Sequence, residues 1–208
     1  MLPKIISCTE LLTGKSASTY TPKEWLVVAR LYAIATHSPQ APSLLQLNAS
    51  FESAIKKTAV SVVIAPFEPL IQKAIELVDS VSPGYFSGIK EVRVEASLEA
   101  GEPFHYGKVR EGEDGIIYIS MNAVRGAAGG SEAETVRAIA IILAHEMGHL
   151  KAHMSGGEGP AETEEKRVAD LIDAKKASHT QELIAFADHC DALGYGHIAI
   201  QVENSLLS

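Results

Sequence analysis

The feature that most constrains this 208-residue chain is an apolar helix pattern that runs into a His-Glu-His cluster. Ser131 and Glu134 have the spacing of a capping box, which predicts that a helix starts there. Residues 136–143 (VRAIAIIL) are charged only at Arg137, so this helix is apolar nearly all round and should be buried. It continues into HEMGH at residues 145–149, and polar groups in a buried helix need partners. A metal ion can be that partner.

The HEMGH spacing suits a zinc site. His145 and His149 are one helical turn apart, with about 6 Å between their Cβ atoms, so both imidazoles can reach one tetrahedral Zn²⁺. Glu146 lies beside the first histidine and can act as a general base toward a water activated by the ion. Gly148 lies on the same side as His145, where a second helix could approach closely. HExxH also occurs by chance, so the context of the motif decides its meaning.

The run GIIYISMNAV, a loop of small residues and then AIILAHEMGH resemble the strand and active helix of zincin metallopeptidases. Within the zincins the chain is similar to the gluzincin type, including minigluzincins and the catalytic domains of prenyl-protein endopeptidases. The likeness covers residues 115–177. It implies a zincin-like α+β fold, with a small antiparallel or mixed sheet packed on the HExxH helix. It also implies a Zn²⁺ cofactor, a peptide or protein substrate and Glu146 as the catalytic base.

The resemblance further implies where a substrate binds. In zincins the last strand before the active helix is a sheet edge, and its free backbone groups pair with an extended peptide. In this chain that role falls on Ile117, Tyr118, Ile119, Ser120 and Met121. The run of small residues at 123–130 is expected to border the same cleft.

The third metal ligand is the least determined part of the expected site. A gluzincin takes it from the helix after the active helix, in a Glu-x-x-Ala-Asp pattern. Here Ala169 and Asp170 are present, but Lys166 stands where the glutamate belongs. Glu165 begins a core-facing stripe and is the favoured ligand, with Asp170 as the alternative. The remaining possibilities are Glu162, Glu164 or no protein ligand.

Two other ligand patterns are excluded. His153 continues the i, i+4 series, but it lies about 12 Å from His145 along one helix, too far to share an ion bound at about 2 Å. The extended metzincin signature needs His or Asp six residues after His149, where Ser155 stands.

Composition argues against several other classes. The net charge is −8 and no basic stripe could neutralise phosphates, so nucleic acid is not an expected partner. Cys8 and Cys190 lie far apart and form neither a disulfide framework nor a cysteine zinc motif. No apolar segment approaches the length of about 20 residues that a membrane span requires, and the amino terminus lacks a secretory pattern. We therefore expect a cytoplasmic protein, whose oligomeric state the sequence does not specify.

Helical and strand patterns divide the chain. Residues 1–84 are predicted to form a helical region, with helices over residues 22–36, 51–65 and 67–81. Residues 85–208 are predicted to form the zincin-like catalytic region, with three strands before the active helix. A helix is predicted over residues 161–178, and a capping pattern at Ser178 predicts that another helix starts there. The two regions are expected to form one compact unit together.

Two classes of function follow from these patterns. The first is a zinc metallopeptidase, in which His145, His149 and Glu165 hold Zn²⁺ and Glu146 takes a proton from the attacking water. The second is a catalytically silent regulatory protein of the same fold that binds a peptide or a metal without turnover. Hydrolysis of a non-peptide amide is disfavoured, because the cysteine ligand motif of the HExxH deformylases is absent.

Overall fold

The structure, a computed structural model, describes residues 1–37, 63–64, 69–95, 107–120, 130–152 and 157–207. Within these ranges the chain forms six α-helices and one four-stranded sheet, which is compatible with the expected α+β class. The helices are α1 (Leu2–Thr13), α2 (Pro22–His37), α3 (Pro69–Val81), α4 (Glu132–Lys151), α5 (Glu158–Ala192) and α6 (Gly196–Leu206). The strands are β1 (Val63–Ile64), β2 (Glu91–Glu95), β3 (Gly107–Lys108) and β4 (Ile116–Ser120). None of the described helices is both long and apolar enough to cross a membrane.

The chain divides into two compact units. The first comprises residues 1–57 and 175–208, and the second comprises residues 58–174. The boundary expected after residue 84 falls inside the second unit, because α3 packs on the same hydrophobic core as the sheet. The long helix α5 belongs to both units, since its residues before Lys175 lie in the second unit and its later residues in the first.

The sheet of the second unit is mixed, with strand order β1-β2-β4-β3. β1 and β4 both run parallel to β2, and Glu91 of β2 lies opposite Ile116 of β4. β3 runs antiparallel to β4, with Gly107 opposite Ile119 and Lys108 opposite Tyr118. The expectation of a small mixed sheet is therefore confirmed, and β3 rather than β4 lies at its end.

β1 corrects one secondary-structure prediction. The sequence predicts a helix over residues 51–65, but residues 63–64 pair with β2 as a strand. The β-branched run VVI at residues 62–64 favours extended backbone, and the sheet supplies hydrogen-bonding partners that a local pattern cannot reveal. The rest of that predicted helix lies outside the described residues, apart from these two.

α3, α4 and the sheet share one hydrophobic core. Its fully buried side chains include Ile71, Ile75 and Val78 of α3, Val92, Ile117 and Ile119 of the sheet, and Ile139, Ala140 and Leu143 of α4. Each fully buried aliphatic side chain contributes about 1.5–3 kcal/mol to folding. This burial holds the helix that carries HEMGH against the sheet, as its apolar sequence predicts.

The start of α4 is fixed by the capping box that the sequence predicts. The backbone N–H of Glu134 donates to Ser131 Oγ at 3.3 Å, and the backbone N–H of Ser131 donates to a carboxylate oxygen of Glu134 at 2.7 Å. Two N–H groups that have no partner inside the helix are satisfied in this way. The same pattern of bonds joins Thr21 and Glu24 at the start of α2.

Gly148 brings α4 and α5 into close contact, as expected from the sequence. A Cβ atom added at Gly148 would lie 2.5 Å from the Cα of Ala161 and 2.8 Å from the carbonyl oxygen of Pro160. Both are backbone atoms of α5, so a larger residue at position 148 would push the first turn of α5 away. The glycine therefore sets the distance between the two helices at the HEMGH motif.

α5 is one continuous helix of 35 residues, so the prediction of a new helix at Ser178 is wrong. The next hydroxyl residue, Thr180, bonds within the helix instead, donating from Oγ1 to the carbonyl oxygen of Lys176 at 3.0 Å. Residues 161–192 contain neither Gly nor Pro, so nothing in this stretch interrupts the backbone. The capping pattern at Ser178 therefore arose by chance and does not mark a helix start.

The first unit has its own hydrophobic core. Its aromatic centre is formed by Trp25 and Tyr32 of α2 and Phe186 of α5, with ring centroids 6.4 Å apart for Trp25–Phe186 and 5.8 Å apart for Tyr32–Phe186. α6 adds Ile198 and Val202 to the same core. The apolar carboxy-terminal tail thus packs on this core as a helix.

Candidate metal centre

The two histidines of HEMGH lie side by side on α4. Their ring centroids are 5.0 Å apart, and their side chains are 24% exposed at His145 and 18% exposed at His149. This is the i, i+4 arrangement that the sequence predicts. The two imidazoles are accessible enough for an ion to reach them, while the helix backbone around them is packed against the core.

Glu158, the first residue of α5, faces both histidines. One oxygen of its carboxylate lies 3.2 Å from Nε2 of His145 and 3.6 Å from Nε2 of His149. Ligand atoms held at about 2.0–2.2 Å by a tetrahedral ion lie about 3.3–3.6 Å from one another. The two carboxylate–imidazole distances are close to this range, and the ligand atoms of all three groups lie within 4.8 Å of one another, so the group could hold a metal ion. A carboxylate with two imidazoles is also a donor set that zinc accepts.

Glu165, the third ligand favoured by the sequence, binds the other side of His145. Its carboxylate oxygen lies 3.0 Å from Nδ1 of that ring, whereas the carboxylate of Glu158 approaches Nε2 of both histidines. A carboxylate on Nδ1 keeps the proton there and leaves the Nε2 lone pair available to a metal. Glu158 rather than Glu165 is thus the carboxylate on the Nε2 side of both histidines.

Asp170, the alternative ligand, is exposed and lies near another residue of α5. Its side chain is 71% exposed and its carboxylate is 4.0 Å from the ammonium of Lys166, one turn earlier on α5. Within the described residues, the His/Cys/Asp/Glu group that could hold an ion consists of His145, His149 and Glu158, and Asp170 does not join it.

Glu146 is buried next to the edge strand of the sheet. Glu146 is only 4% exposed. A Cβ atom added at Gly107 of β3 would lie 2.5 Å from Oε1 of Glu146 and 2.9 Å from its carboxyl carbon. β3 therefore passes directly over the carboxylate of the expected catalytic base, and the absence of a side chain at position 107 makes this approach possible.

The expectation that β4 is the edge strand is wrong. β4 pairs with β2 on one side and with β3 on the other, because the chain returns through β3 before it enters β4. Residues 117–120 therefore lie within the sheet, and Met121 lies outside the described residues. The strand beside Glu146 that pairs with only one neighbour, within the described residues, is β3.

The side chain of Tyr118 points to the opposite face of the sheet from α4. Ile117 and Ile119 face the core, and side chains alternate along a strand, so Tyr118 faces away. Its hydroxyl donates to the carboxylate of Glu113 and accepts a hydrogen bond of 3.1 Å from Arg93. Tyr118 is thus held by structural partners away from the histidines.

A polar cluster around Glu164 fixes α5 against α4. Glu164 accepts hydrogen bonds from the hydroxyl of Tyr85 at 2.9 Å and from Nη2 of Arg167 at 3.0 Å, and its carboxylate lies 3.2 Å from the ammonium of Lys151. Burial raises the pKa of the Glu164 carboxyl, but the hydrogen bonds from Arg167, Tyr85 and Lys151 outweigh it, and the pKa is lowered. Burial, followed by the bond to Glu164, raises the pKa of Tyr85.

Glu158 and Gly107 are the two site residues that sequence reasoning missed. Glu158 stands in the run Gly156-Gly157-Glu158-Gly159-Pro160, which reads as a loop that ends the active helix. An available signal was Pro160, because proline is favoured in the first turn of a helix and an acidic residue is favoured just before it. Gly107 follows Tyr106 inside a predicted strand, where a glycine marks close approach of another group.

No family model matches the sequence, and neither a curated protein nor a solved structure matches the chain.

Proposed function

We propose that this chain is a zinc-dependent metallopeptidase whose ion is held by His145, His149 and Glu158. The observation that carries the proposal is the convergence of these three groups, at distances of 3.2 and 3.6 Å between the carboxylate and the two imidazoles, at the helix that also carries Glu146. Zn²⁺ bound there would supply a Lewis acid that polarises the substrate carbonyl and makes water a nucleophile near neutral pH.

Glu146 supplies the acid–base chemistry. It lies one residue after His145 on α4, and it is not part of the group that could hold an ion. In its ionised form it accepts a proton from the water that attacks the peptide carbonyl, and it then delivers that proton to the leaving amine. Burial next to β3 limits the positions that this carboxylate can adopt.

β3 is the part of the sheet that best suits an extended substrate. Among the described residues it pairs with β4 alone and so lies at the end of the sheet. An added strand gains main-chain hydrogen bonds whatever its sequence, and β3 would place it next to Glu146. The proposal therefore moves the substrate-binding strand from residues 117–121 to Gly107 and Lys108.

The first experiment measures the zinc affinity of four variants on α5 by competition with a chromophoric chelator. Glu158→Gln should weaken zinc binding by more than about 100-fold, because a ligand is lost, and Glu165→Gln by about 10–100-fold, because only the orientation of His145 is lost. Glu162→Gln and Asp170→Asn are matched controls and should bind zinc as the wild type does. A larger loss in Glu165→Gln than in Glu158→Gln would instead make Glu165 the ligand.

The second experiment compares peptide cleavage by the zinc-loaded wild type and Glu146→Gln. The variant should retain zinc and lose activity by about 100-fold or more, because a general base contributes about 10²–10⁴ to the rate. Equal activity in the two proteins would exclude this mechanism. Zinc binding without cleavage of any peptide by the wild type would favour the alternative of a catalytically silent binding protein.

A further inference from the structure

The proposed base is less accessible than the two histidines of the same motif. Glu146 is 4% exposed, whereas the side chains of His145 and His149 are 24% and 18% exposed. A general base has to come within hydrogen-bond distance, about 3 Å, of the group whose proton it takes. In this arrangement an ion can reach the histidines, but the carboxylate that would act on the substrate is covered.

The cover over Glu146 is the short strand β3. The three heavy atoms closest to a Cβ built at Gly107 are Oε1, Cγ and the carboxyl carbon of Glu146, at 2.5, 2.7 and 2.9 Å. The side of the carboxylate that faces β3 is therefore filled by backbone, and a substrate group cannot fit between them. A side chain could turn aside by changing its rotamer, but backbone is uncovered only when the strand and the carboxylate separate.

β3 is paired with the sheet over only two residues. Gly107 lies opposite Ile119 and Lys108 lies opposite Tyr118, both in β4, and within the described part of the chain β3 has no second neighbour. By contrast, β2 and β4 pair along five residues. A short strand at the end of a sheet belongs to the part of a fold that opens at the lowest free energy.

The two residues that follow β3 anchor it, one on each face of the sheet. Val109 is 3% exposed and belongs to the core of the second unit. On the other face, the guanidinium of Arg110 lies 4.0 Å from the centre of the Tyr118 ring, and its Nη2 donates to the carboxylate of Glu95 at 2.9 Å. We call residues 107–110 the strap. The side chain of Arg110 is 35% exposed, so removing its contacts loosens the strap without leaving a cavity in the core.

We propose that the strap is autoinhibitory: while Gly107 lies against Glu146 the site can take up zinc but cannot turn over a peptide, and withdrawal of Gly107 uncovers the base. The inhibitory effect rests on the proposed metallopeptidase function, although the covering of Glu146 does not. Because β3 is also the strand proposed to receive the substrate, a peptide that binds the withdrawn strap more tightly than the closed one shifts the population toward the active arrangement.

Arg93 provides a matched control for Arg110. The guanidinium groups of both arginines lie near the ring of Tyr118, at 5.8 Å for Arg93 and 4.0 Å for Arg110. Each also donates to a glutamate of β2, Arg93 to Glu91 at 2.8 Å and Arg110 to Glu95 at 2.9 Å. Arg93 belongs to β2 itself, so Arg93→Gln removes similar contacts from the same face of the sheet without loosening the strap.

The first measurement is the rate at which a carbodiimide with glycine ethyl ester modifies each carboxylate of the full chain, followed by mass spectrometry. In the wild type, Glu146 should react at least about tenfold more slowly than the exposed Glu162. Arg110→Gln should raise the rate at Glu146 at least about threefold, because an ion pair and a cation–π contact of the strap are lost, and Arg93→Gln should not. The rate at Glu164 should be the same in all three proteins.

Two labelling results would overturn the proposal. If Glu146 reacts at the same rate in the wild type and in Arg110→Gln, the strap does not control access to the base. If the rates at Glu146 and Glu164 rise together in Arg110→Gln, the whole unit has loosened and the effect does not belong to the strap.

Zinc affinity and peptide cleavage distinguish a failure of this proposal from a failure of the metallopeptidase function. Arg110→Gln should bind zinc as the wild type does, since the strap contains none of the proposed ligands, and its kcat/KM should be at least about threefold higher, since less of the protein is closed. Arg93→Gln should match the wild type in both measurements.

Cleavage by the wild type, together with an Arg110→Gln variant that uncovers Glu146 but cleaves no faster, would leave the metallopeptidase function intact and exclude autoinhibition. If labelling changes as expected but neither protein cleaves any peptide, the metallopeptidase function is wrong and autoinhibition is excluded with it.

Discussion

Gly107 and Glu146 constrain each other at the candidate active site. The atoms closest to a Cβ added at Gly107 all belong to the side chain of Glu146, at 2.5, 2.7 and 2.9 Å. The strand that the proposal assigns to substrate binding and the proposed base are thus packed against each other with no room for a methyl group.

We therefore expect Gly107→Ala to destabilise the protein by about 1–3 kcal/mol, because an extra methyl group overfills the contact. The same substitution in a Glu146→Ala background should cost less, because the crowded carboxylate is gone. Urea unfolding of the wild type, both single variants and the double variant measures this coupling. An equal cost in both backgrounds would show that the contact with Glu146 is not the source.

Sequence patterns predict single residues well where the chemistry is local. His145, Glu146 and His149 come from the spacing within one helix, and Gly148 comes from its position on the same face. The third ligand stays a prediction from the sequence, because its choice depends on where α5 begins and how it crosses α4. Glu165 has the character of a ligand and indeed contacts His145, but it reaches Nδ1 rather than Nε2.

The contact between α4 and α5 decides whether Glu158 reaches the histidines. Gly148→Ala should gain about 1 kcal/mol of helix propensity, but the clash with backbone atoms of Ala161 and Pro160 should cost more. We expect a net loss of stability and a weaker zinc affinity, because Glu158 moves with the first turn of α5.

Gly159→Ala is the matched control for this prediction. A Cβ atom added at Gly159 meets nothing within 4 Å. Gly159 nevertheless lies in the first turn of α5, together with the residues Pro160 and Ala161 that a side chain at position 148 would meet. Thermal unfolding and zinc titration of both variants make the comparison. A Gly148→Ala protein as stable as the Gly159→Ala protein, and with the same zinc affinity, would refute the close-contact argument.

The cluster around Glu164 gives the second unit an acid-sensitive contact. The pKa of Glu164 is lower in the folded protein than its ordinary value of 4.5, so its contribution is present above that pH and is lost as the pH falls below it. Glu164→Gln should therefore lower the free energy of unfolding at neutral pH by about 1–3 kcal/mol.

The difference between the wild type and Glu164→Gln should shrink as the pH falls below about 4.5. Urea unfolding at several pH values measures it, with the exposed neighbour Glu162→Gln as the control. If the stabilities of wild type and Glu164→Gln differ equally at all pH values, the charge of Glu164 is not what holds α5.

At the level of elements, the sequence predicts whether a segment is a helix or a strand better than it predicts which other element that segment packs against or pairs with. The bounds of α2 and α4 follow from capping boxes and apolar periodicity, and β2 and β4 follow from their alternating patterns. That β3 rather than β4 ends the sheet depends on strand order, which no local pattern contains. The continuity of α5 through Ser178 was missed, because a capping box matters only where the helix lacks a preceding turn.

For the whole molecule, the two hydrophobic cores imply that zinc stabilises the units unequally. All three proposed ligands belong to the second unit. Free zinc at 100 times its dissociation constant adds about 2.7 kcal/mol to the free energy of unfolding of the part that binds it. We expect zinc to increase protection from hydrogen exchange in α4 and the first turns of α5, and to leave α1 and α2 unchanged.

Hydrogen exchange followed by mass spectrometry, with and without zinc, tests this expectation. Glu158→Gln should show no zinc-dependent protection at the same zinc concentration. Equal protection of α1 and α4 would mean that the two units unfold together, despite their separate cores.

The position of Glu158 at the start of α5 has a consequence for assembly. The three proposed ligands lie between residues 145 and 158, so joining them closes only a short loop, and the entropy lost in doing so is small. An ion could then be captured by a chain that has not yet folded. Zinc would act early, as a nucleus for the α4–α5 junction, and metal bound to the unfolded chain would reduce the stabilisation that zinc gives to the folded protein.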